Sequence, residues 1–240
     1  MPRDIPIIGG FVPFTTLDYP GCVSMVLFLQ GCPWRCAYCS NPHLFGMRKA
    51  TEKDIENWES ILNRLRRRIK LVDAVVFSGG EAVAQADGVL AAIKEIHEIS
   101  PHYKIGLHTN GCMPREVARL LPMIDWVGLD IKAPADKYDS ITGVSNSAGP
   151  AFETLDLLLK DGVSFECRTT CDPRFLTKKD ILGLADFLSK KGVENYAIQK
   201  FRPSDKDKND VSSMDITQFF ADKDFELSLR KKFMNLTLRW

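Results

Sequence analysis

The sequence predicts an α/β protein built on a parallel sheet, and three observations predict it. Short β-branched or apolar runs alternate with longer, amphipathic, charge-bearing segments; six such strands with helices between them precede residue 202, in the βα rhythm; no internal repeat or low-complexity tract breaks it. A chain of 240 residues with 45% hydrophobic content can bury one barrel-sized core or two smaller ones.

Taken in order, the amino-terminal stretch MPRDIPIIGGFVPF carries prolines and an acid where a leader needs a basic start and an unbroken apolar run. The first strand is read at VSMVLFL (23–29), followed by the cysteine-bearing loop FLQGCPWRCAYCSNPH (28–43) and a helix over 51–69 whose start is marked by TEKD. DAVVFS (73–78) is the second strand, closed by Ser78-Gly79-Gly80-Glu81, with a helix over 86–99. KIGLHT (104–109) ends in His108-Thr109-Asn110-Gly111 and leads to a helix over 114–121. WVGLDIK (126–132) ends with Asp130 and Lys132, SFECRTT (164–170) follows a helix over 150–161, and NYAIQKF (195–201) follows a helix over 177–190 started by TKKD. Each strand is short enough to be buried in a parallel sheet. Beyond 202 the pattern changes to a polar loop, a helix near 214–233 and the tail NLTLRW, so residues 1–203 are expected to form the barrel and 204–240 an appendage. Parallel sheets, open or closed, place chemistry at the carboxyl ends of their strands, and every polar motif above lies at such an end.

Charge excludes little: 32 basic and 31 acidic residues nearly cancel, which gives no case for nucleic acid or an anionic membrane surface. No run approaches the roughly 18 apolar residues of a spanning helix, so the expected location is the cytoplasm. Seven cysteines, an odd number in such a chain, point away from a disulfide framework and towards metal binding, reactive thiols or buried packing. Cys32, Cys36 and Cys39, spaced C-x3-C-x2-C, can hold three corners of a [4Fe–4S] cluster and leave one iron open, whereas a structural zinc site wants four closed ligands. His43 or Cys22 would complete such a zinc site.

The other motifs each admit two readings. Gly79 and Gly80 let a ligand approach the backbone and Glu81 can receive an ammonium group, or the three form a tight turn that starts a helix. His108 is a ligand or a satisfied structural residue, and Asn110-Gly111 is a common turn pair. Asp130 and Lys132 lie on the same side of an extended segment, either paired with each other or free for ribose hydroxyls or a cation. Arg168 suits a carboxylate, while Cys22, Cys112, Cys167 and Cys171 suit packing. RLRRRIK (64–70) reads as a solvated helix face or a docking patch for an acidic partner.

These residues together resemble the radical S-adenosylmethionine superfamily, and within it the activating enzymes of glycyl radical proteins. The cysteine loop with Tyr38 before its last cysteine carries the superfamily likeness. GGFVPFTTLDYPG, DWVGLDIKAP, FECRTTCDP and YAIQKFRP carry the subgroup likeness, closest to the activating proteins of anaerobic ribonucleoside-triphosphate reductase. The resemblance implies a partial (β/α)6 barrel and a [4Fe–4S] cluster on Cys32, Cys36 and Cys39, its open iron chelated by S-adenosylmethionine. It also implies that Gly79, Gly80 and Glu81 line the methionine moiety and that Tyr38 lies near the adenine. Asp130 and Lys132 would lie near the ribose or a monovalent cation, and Arg168 near the methionine carboxylate. An electron from reduced flavodoxin or ferredoxin would cleave the sulfonium to methionine and a 5′-deoxyadenosyl radical, which takes hydrogen from a glycine of the partner. The chain departs from the family pattern at Ala82, where Pro usually follows the Glu, at Ser40, where many relatives have His, and at His108, where related activases have Asp.

Overall fold

A computed structural model describes residues 4–203 and 220–239. Its eight strands form one sheet in chain order: β1 (Ile8–Thr15), β2 (Ser24–Leu29), β3 (Ala74–Gly79), β4 (Lys104–Thr109), β5 (Trp126–Asp130), β6 (Ser164–Cys171), β7 (Asn195–Lys200) and β8 (Asn235–Arg239). β1 runs antiparallel to β2; every later pair is parallel. The sheet is a curved, open partial barrel, since β1 and β8 are its two edges. The six expected parallel strands are all present, as β2 to β7.

Helices α1 (Glu52–Arg66), α2 (Ala86–Ile99), α3 (Pro114–Leu120), α5 (Ala148–Asp161) and α6 (Lys178–Lys190) follow strands as the sequence predicts, and α4 (Ala135–Thr142) precedes α5. Both start signals work as capping boxes. The Asp54 carboxylate accepts from the Thr51 backbone N–H at 2.8 Å, and Asp180 accepts from that of Thr177 at 2.7 Å. Sequence reading passed over β1, whose prolines and glycines mask its alternation, and α4, a short helix with a weakly apolar face. The sequence also gives no strand in the final tail, whereas 235–239 form β8, which pairs in register with β7. Within the described part of the C-terminal segment, the helix is α7 (Lys223–Arg230); the expected helical residues 214–219 lie outside the described residues.

Strand alternation divides the molecule into two layers. Met25, Leu27, Val75, Phe77, Ile105, Leu107, Val127 and Leu129 face the helices in the large core. The opposite faces look into the barrel, where Tyr19, Cys22, Val26, Ala74, Val76 and Trp126 form a separate apolar plug. Val26, Val76, Gly106 and Trp126 are register partners along the sheet, so the plug closes the amino-terminal half of the barrel. Nearer the carboxyl ends of β3 to β8, the residues that line the barrel interior are polar: Ser78, His108, Asp130, Arg168, Thr170, Gln199 and Arg239. That change of character towards the strand ends places a cavity there. Among the described residues, no helix is long and apolar enough to cross a membrane.

Candidate active site

The cavity has a volume of about 460 Å³, and its lining includes Cys32, Cys36, Tyr38 and Cys39 of the cysteine loop and Arg168, Gln199 and Arg239 of the later strands. The cysteine loop owes its position to α4, the helix that sequence reading missed. Backbone N–H groups of Arg35 and Ala37 donate to the carbonyls of Thr142 and Ile141 at 2.8 and 3.0 Å, using carbonyls that a helix end leaves without partners. Trp34 packs edge-on against Tyr138 of the same helix, at 5.8 Å between ring centres. Burial pushes the Cys32 thiol up to about 11, partly offset by a hydrogen bond from the Trp34 backbone, and burial also raises Cys36. Among the described residues, no three His, Cys, Asp or Glu side chains converge tightly enough to cage a single metal ion.

Gly79 and Gly80 line the cavity, but the space their missing side chains leave is taken by protein. Gly79 has φ +120°, and a Cβ there would stand 2.2 Å from the Leu29 nitrogen; at Gly80 it would stand 2.4 Å from the Gly31 carbonyl oxygen. The pair thus lets the SGGE turn lie on the backbone that leads into the cysteine loop, and the Glu81 N–H donates to the Gly31 carbonyl at 2.7 Å. Of the two readings the sequence allows for these glycines, the tight turn accounts for the backbone contacts seen here.

Glu81 is buried, and its carboxylate ties the SGGE turn to the HTNG turn. It accepts from the Thr109 hydroxyl at 2.8 Å, the Asn110 N–H at 2.7 Å and the Val83 N–H at 3.3 Å. Burial raises its pKa to about 7, against the pull of these hydrogen bonds. Asn110 in turn directs its side-chain amide to the Cys32 sulfur at 3.8 Å.

Asp130 stands between two cations. Oδ2 accepts from Lys132 at 2.9 Å and Oδ1 from the Arg168 Nε at 2.8 Å. Burial would raise the Asp130 carboxyl, but Arg168 and Lys132 outweigh it and hold it well below the usual carboxylate range. His108 is the structural histidine of its two readings: Nε2 lies 2.9 Å from the Asp18 carbonyl oxygen, which can only accept, so Nδ1, at 3.2 Å from the Ser78 hydroxyl, is the acceptor. Burial and the nearby Arg168 lower its pKa to about 3, so the ring is neutral.

Three further features complete the cavity. Arg239 of β8 reaches the cavity, donating to Gln199 at 3.1 Å and to the buried Glu166 at 2.8 Å. Tyr38 sits among Phe175 and Phe201, and its hydroxyl is buried with no hydrogen-bond partner among the described residues. A polar atom left so in a protein wall is costly unless a bound group meets it. Leu17 and Asp18, in the turn after β1, form part of the mouth. Cys167 and Cys171, four residues apart on β6, both face the helices and are fully buried, as packing residues are.

The Radical SAM superfamily model matches residues 26–188, the segment that carries the cysteine loop and β2 to α6. A Methanocaldococcus jannaschii protein, provisionally named as a glycyl-radical enzyme activating enzyme, is 32% identical over 210 residues, covering 83% of this chain and 81% of that protein. The pyruvate formate-lyase 1-activating enzyme of Escherichia coli K12 is 31% identical over 144 residues, or 58% of this chain and 57% of the enzyme; the chain thus matches little more than half of that relative. Among solved structures, Streptococcus suis SuiB bound to S-adenosylmethionine superimposes with a TM-score of 0.65 at 15% identity, over 87% of this chain and 48% of SuiB. Escherichia coli QueE gives 0.57 at 16% identity, over 98% of this chain and 93% of QueE. At such identities these two establish the shared fold.

Proposed function

The chain belongs to the radical SAM superfamily, and from that premise we propose that it is an activating enzyme that installs a glycyl radical on a partner protein, anaerobic ribonucleoside-triphosphate reductase. The family works with a [4Fe–4S] cluster and S-adenosylmethionine. The observation that carries the reading is that the three clustered thiols line the same cavity as the charged strand termini Asp130, Lys132 and Arg168. The residues fit the group on two counts: the donors are three soft thiols, and the orphaned Tyr38 hydroxyl awaits a partner in the same cavity. Cys32, Cys36 and Cys39 would hold the cluster, and Tyr38, Gly79, Gly80, Glu81, Asp130, Lys132 and Arg168 would surround S-adenosylmethionine.

When bound and reduced by one electron, these groups supply a 5′-deoxyadenosyl radical and methionine. The protein's part is positional. Glu81 locks two cavity turns together, Lys132 and Arg168 hold positive charge around Asp130, and the Tyr19–Trp126 plug bars water from below. The choice of the reductase rests on the TTLDYPG and QKFRP cues; the relative from Methanocaldococcus jannaschii supports the coarser reading, an activating enzyme of a glycyl-radical enzyme. We read residues 1–203 as the catalytic barrel, 204–240 as an extension that adds an outer strand to it, the electron donor as reduced flavodoxin or ferredoxin, and the location as the cytoplasm.

The test is anaerobic incubation of reconstituted, reduced protein with S-adenosylmethionine and each candidate partner, followed by electron paramagnetic resonance. A glycyl doublet on the anaerobic reductase is the expected result. A doublet on pyruvate formate-lyase alone would move the target, and a colourless protein holding one zinc would sink the reading.

A further inference from the structure

The rim formed by β4, β5 and β6 is where a monovalent cation would be sought, because Asp130 is there and ligand carboxylate chemistry is expected beside it. Its donors do not fit one. Hard cations take oxygen ligands, yet both Asp130 oxygens already accept, from Lys132 and from Arg168. The nearest groups on β4 and β3 are His108, neutral and engaged at both nitrogens, and Ser78, which donates to it. Any added cation would also stand within a few ångströms of two fixed positive charges.

The position of Arg168 explains this arrangement. On the sheet, Asp130 is the register partner of Arg168, and Gly128 is that of His108. The Arg168 side chain starts on β6 and crosses β5 over Gly128: it donates to the Gly128 carbonyl at 3.3 Å, and a Cβ on Gly128 would lie 2.8 Å from Cζ. The guanidinium therefore occupies the gap between Asp130 and the His108 side of the barrel, and it does so only because residue 128 has no side chain. The Arg168 side chain is nine-tenths buried, and it lines the cavity.

We infer that the Arg168 guanidinium is a built-in cation, standing where a bound sodium or potassium ion would otherwise balance Asp130 and meet the ligand's carboxylate, so S-adenosylmethionine binding here is independent of monovalent cations. Gly128 is the positioning residue that admits it. The inference rests on the assignment of this cavity to S-adenosylmethionine.

The experiment is calorimetric titration of cluster-loaded protein with S-adenosylmethionine under anaerobic conditions. It is run in tetramethylammonium buffer and again with potassium, at a constant ionic strength of about 0.1 M. Dissociation constants agreeing within about 2-fold are expected; a potassium-dependent tightening of about 10-fold or more overturns the inference. Arg168→Gln is expected to weaken binding by about 10-fold or more in tetramethylammonium and to gain a potassium response, and binding equal to wild type in that buffer overturns it. Gly128→Ala, which keeps the charge but displaces it, is expected to weaken binding without altering the iron content. Sodium-23 relaxation on the wild-type protein decides the matter even if no variant folds: a saturable sodium site overturns the inference, and its absence supports it. Absence of ligand heat in both buffers would instead sink the assignment of the cavity to S-adenosylmethionine, leaving the sodium measurement to judge the rim.

Discussion

At Gly80 the chain has no room for a single added methyl group. Its Cβ would meet the Gly31 carbonyl oxygen and carbon at 2.4 and 2.8 Å, and these are backbone atoms that cannot swing aside. Gly80→Ala is therefore expected to cost about 1–3 kcal/mol as overpacking. It should also lower iron content after reconstitution, because the backbone it displaces leads directly into Cys32; a melting curve and an iron assay check both. Glu81 gives a pH signature. Burial raises its carboxyl from 4.5 to about 7, so the folded state holds the proton more tightly than the unfolded chain. The stabilisation this gives is complete below about pH 4.5 and is lost as pH rises through about 7. In the absence of ligand, wild-type stability should fall across that window relative to Glu81→Gln, which cannot ionise. Parallel stability–pH profiles for the two proteins would contradict the assignment. The carboxylate itself was legible in SGGE, but its partners Thr109 and Asn110 were not, because they come from a turn 28 and 29 residues away.

Among the elements, α1 depends on its first turn. The buried Asp54 carboxylate accepts from the Thr51 N–H and hydroxyl and from both terminal nitrogens of Arg48, at 2.7–2.8 Å. The Arg48 hydrogen bond is the main reason its carboxyl sits well below the usual range. Asp54→Asn should destabilise by about 1–2 kcal/mol, the size of a lost cap. The deficit should be full above the ordinary carboxyl range and shrink as acid protonates Asp54 in the wild type, which denaturant melts at two pH values would show. At the other edge of the sheet, Arg239 binds Gln199 and Glu166, and Glu166 is 8% exposed. Arg239→Met leaves that carboxylate without its cation and is expected to cost about 1–3 kcal/mol. A smaller loss, below about 0.5 kcal/mol, would mean the pair is screened as at a surface. The capping signals TEKD and TKKD were readable because capping is local. β8 was not, because five residues of a tail become a strand only through the hydrogen bonds that β7 offers.

For the whole molecule, ligand binding and stability are linked. A ligand held only by the folded state at 100 times its dissociation constant adds about 2.7 kcal/mol. In a chain of this size that corresponds to a rise of about 5–10 °C in Tm. Cluster-loaded protein should show this shift with S-adenosylmethionine, and a protein with Cys32, Cys36 and Cys39 all changed to Ala should not. By itself the sequence determined the six parallel strands, the helices with strong periodicity or local caps, the three clustered thiols and the rule that polar strand ends share one rim. All of these follow from patterns that repeat within a few residues or from topology common to parallel sheets. Only the tertiary structure decided what each rim residue touches. It turned Gly79 and Gly80 towards the cysteine loop's backbone, joined Glu81 to the HTNG turn, made His108 a neutral strut to Asp18, laid Arg168 across Gly128 and brought Arg239 in from the final strand. These contacts join residues far apart in the chain, and their geometry depends on strand register and on which side chains are missing, neither of which short-range sequence patterns specify.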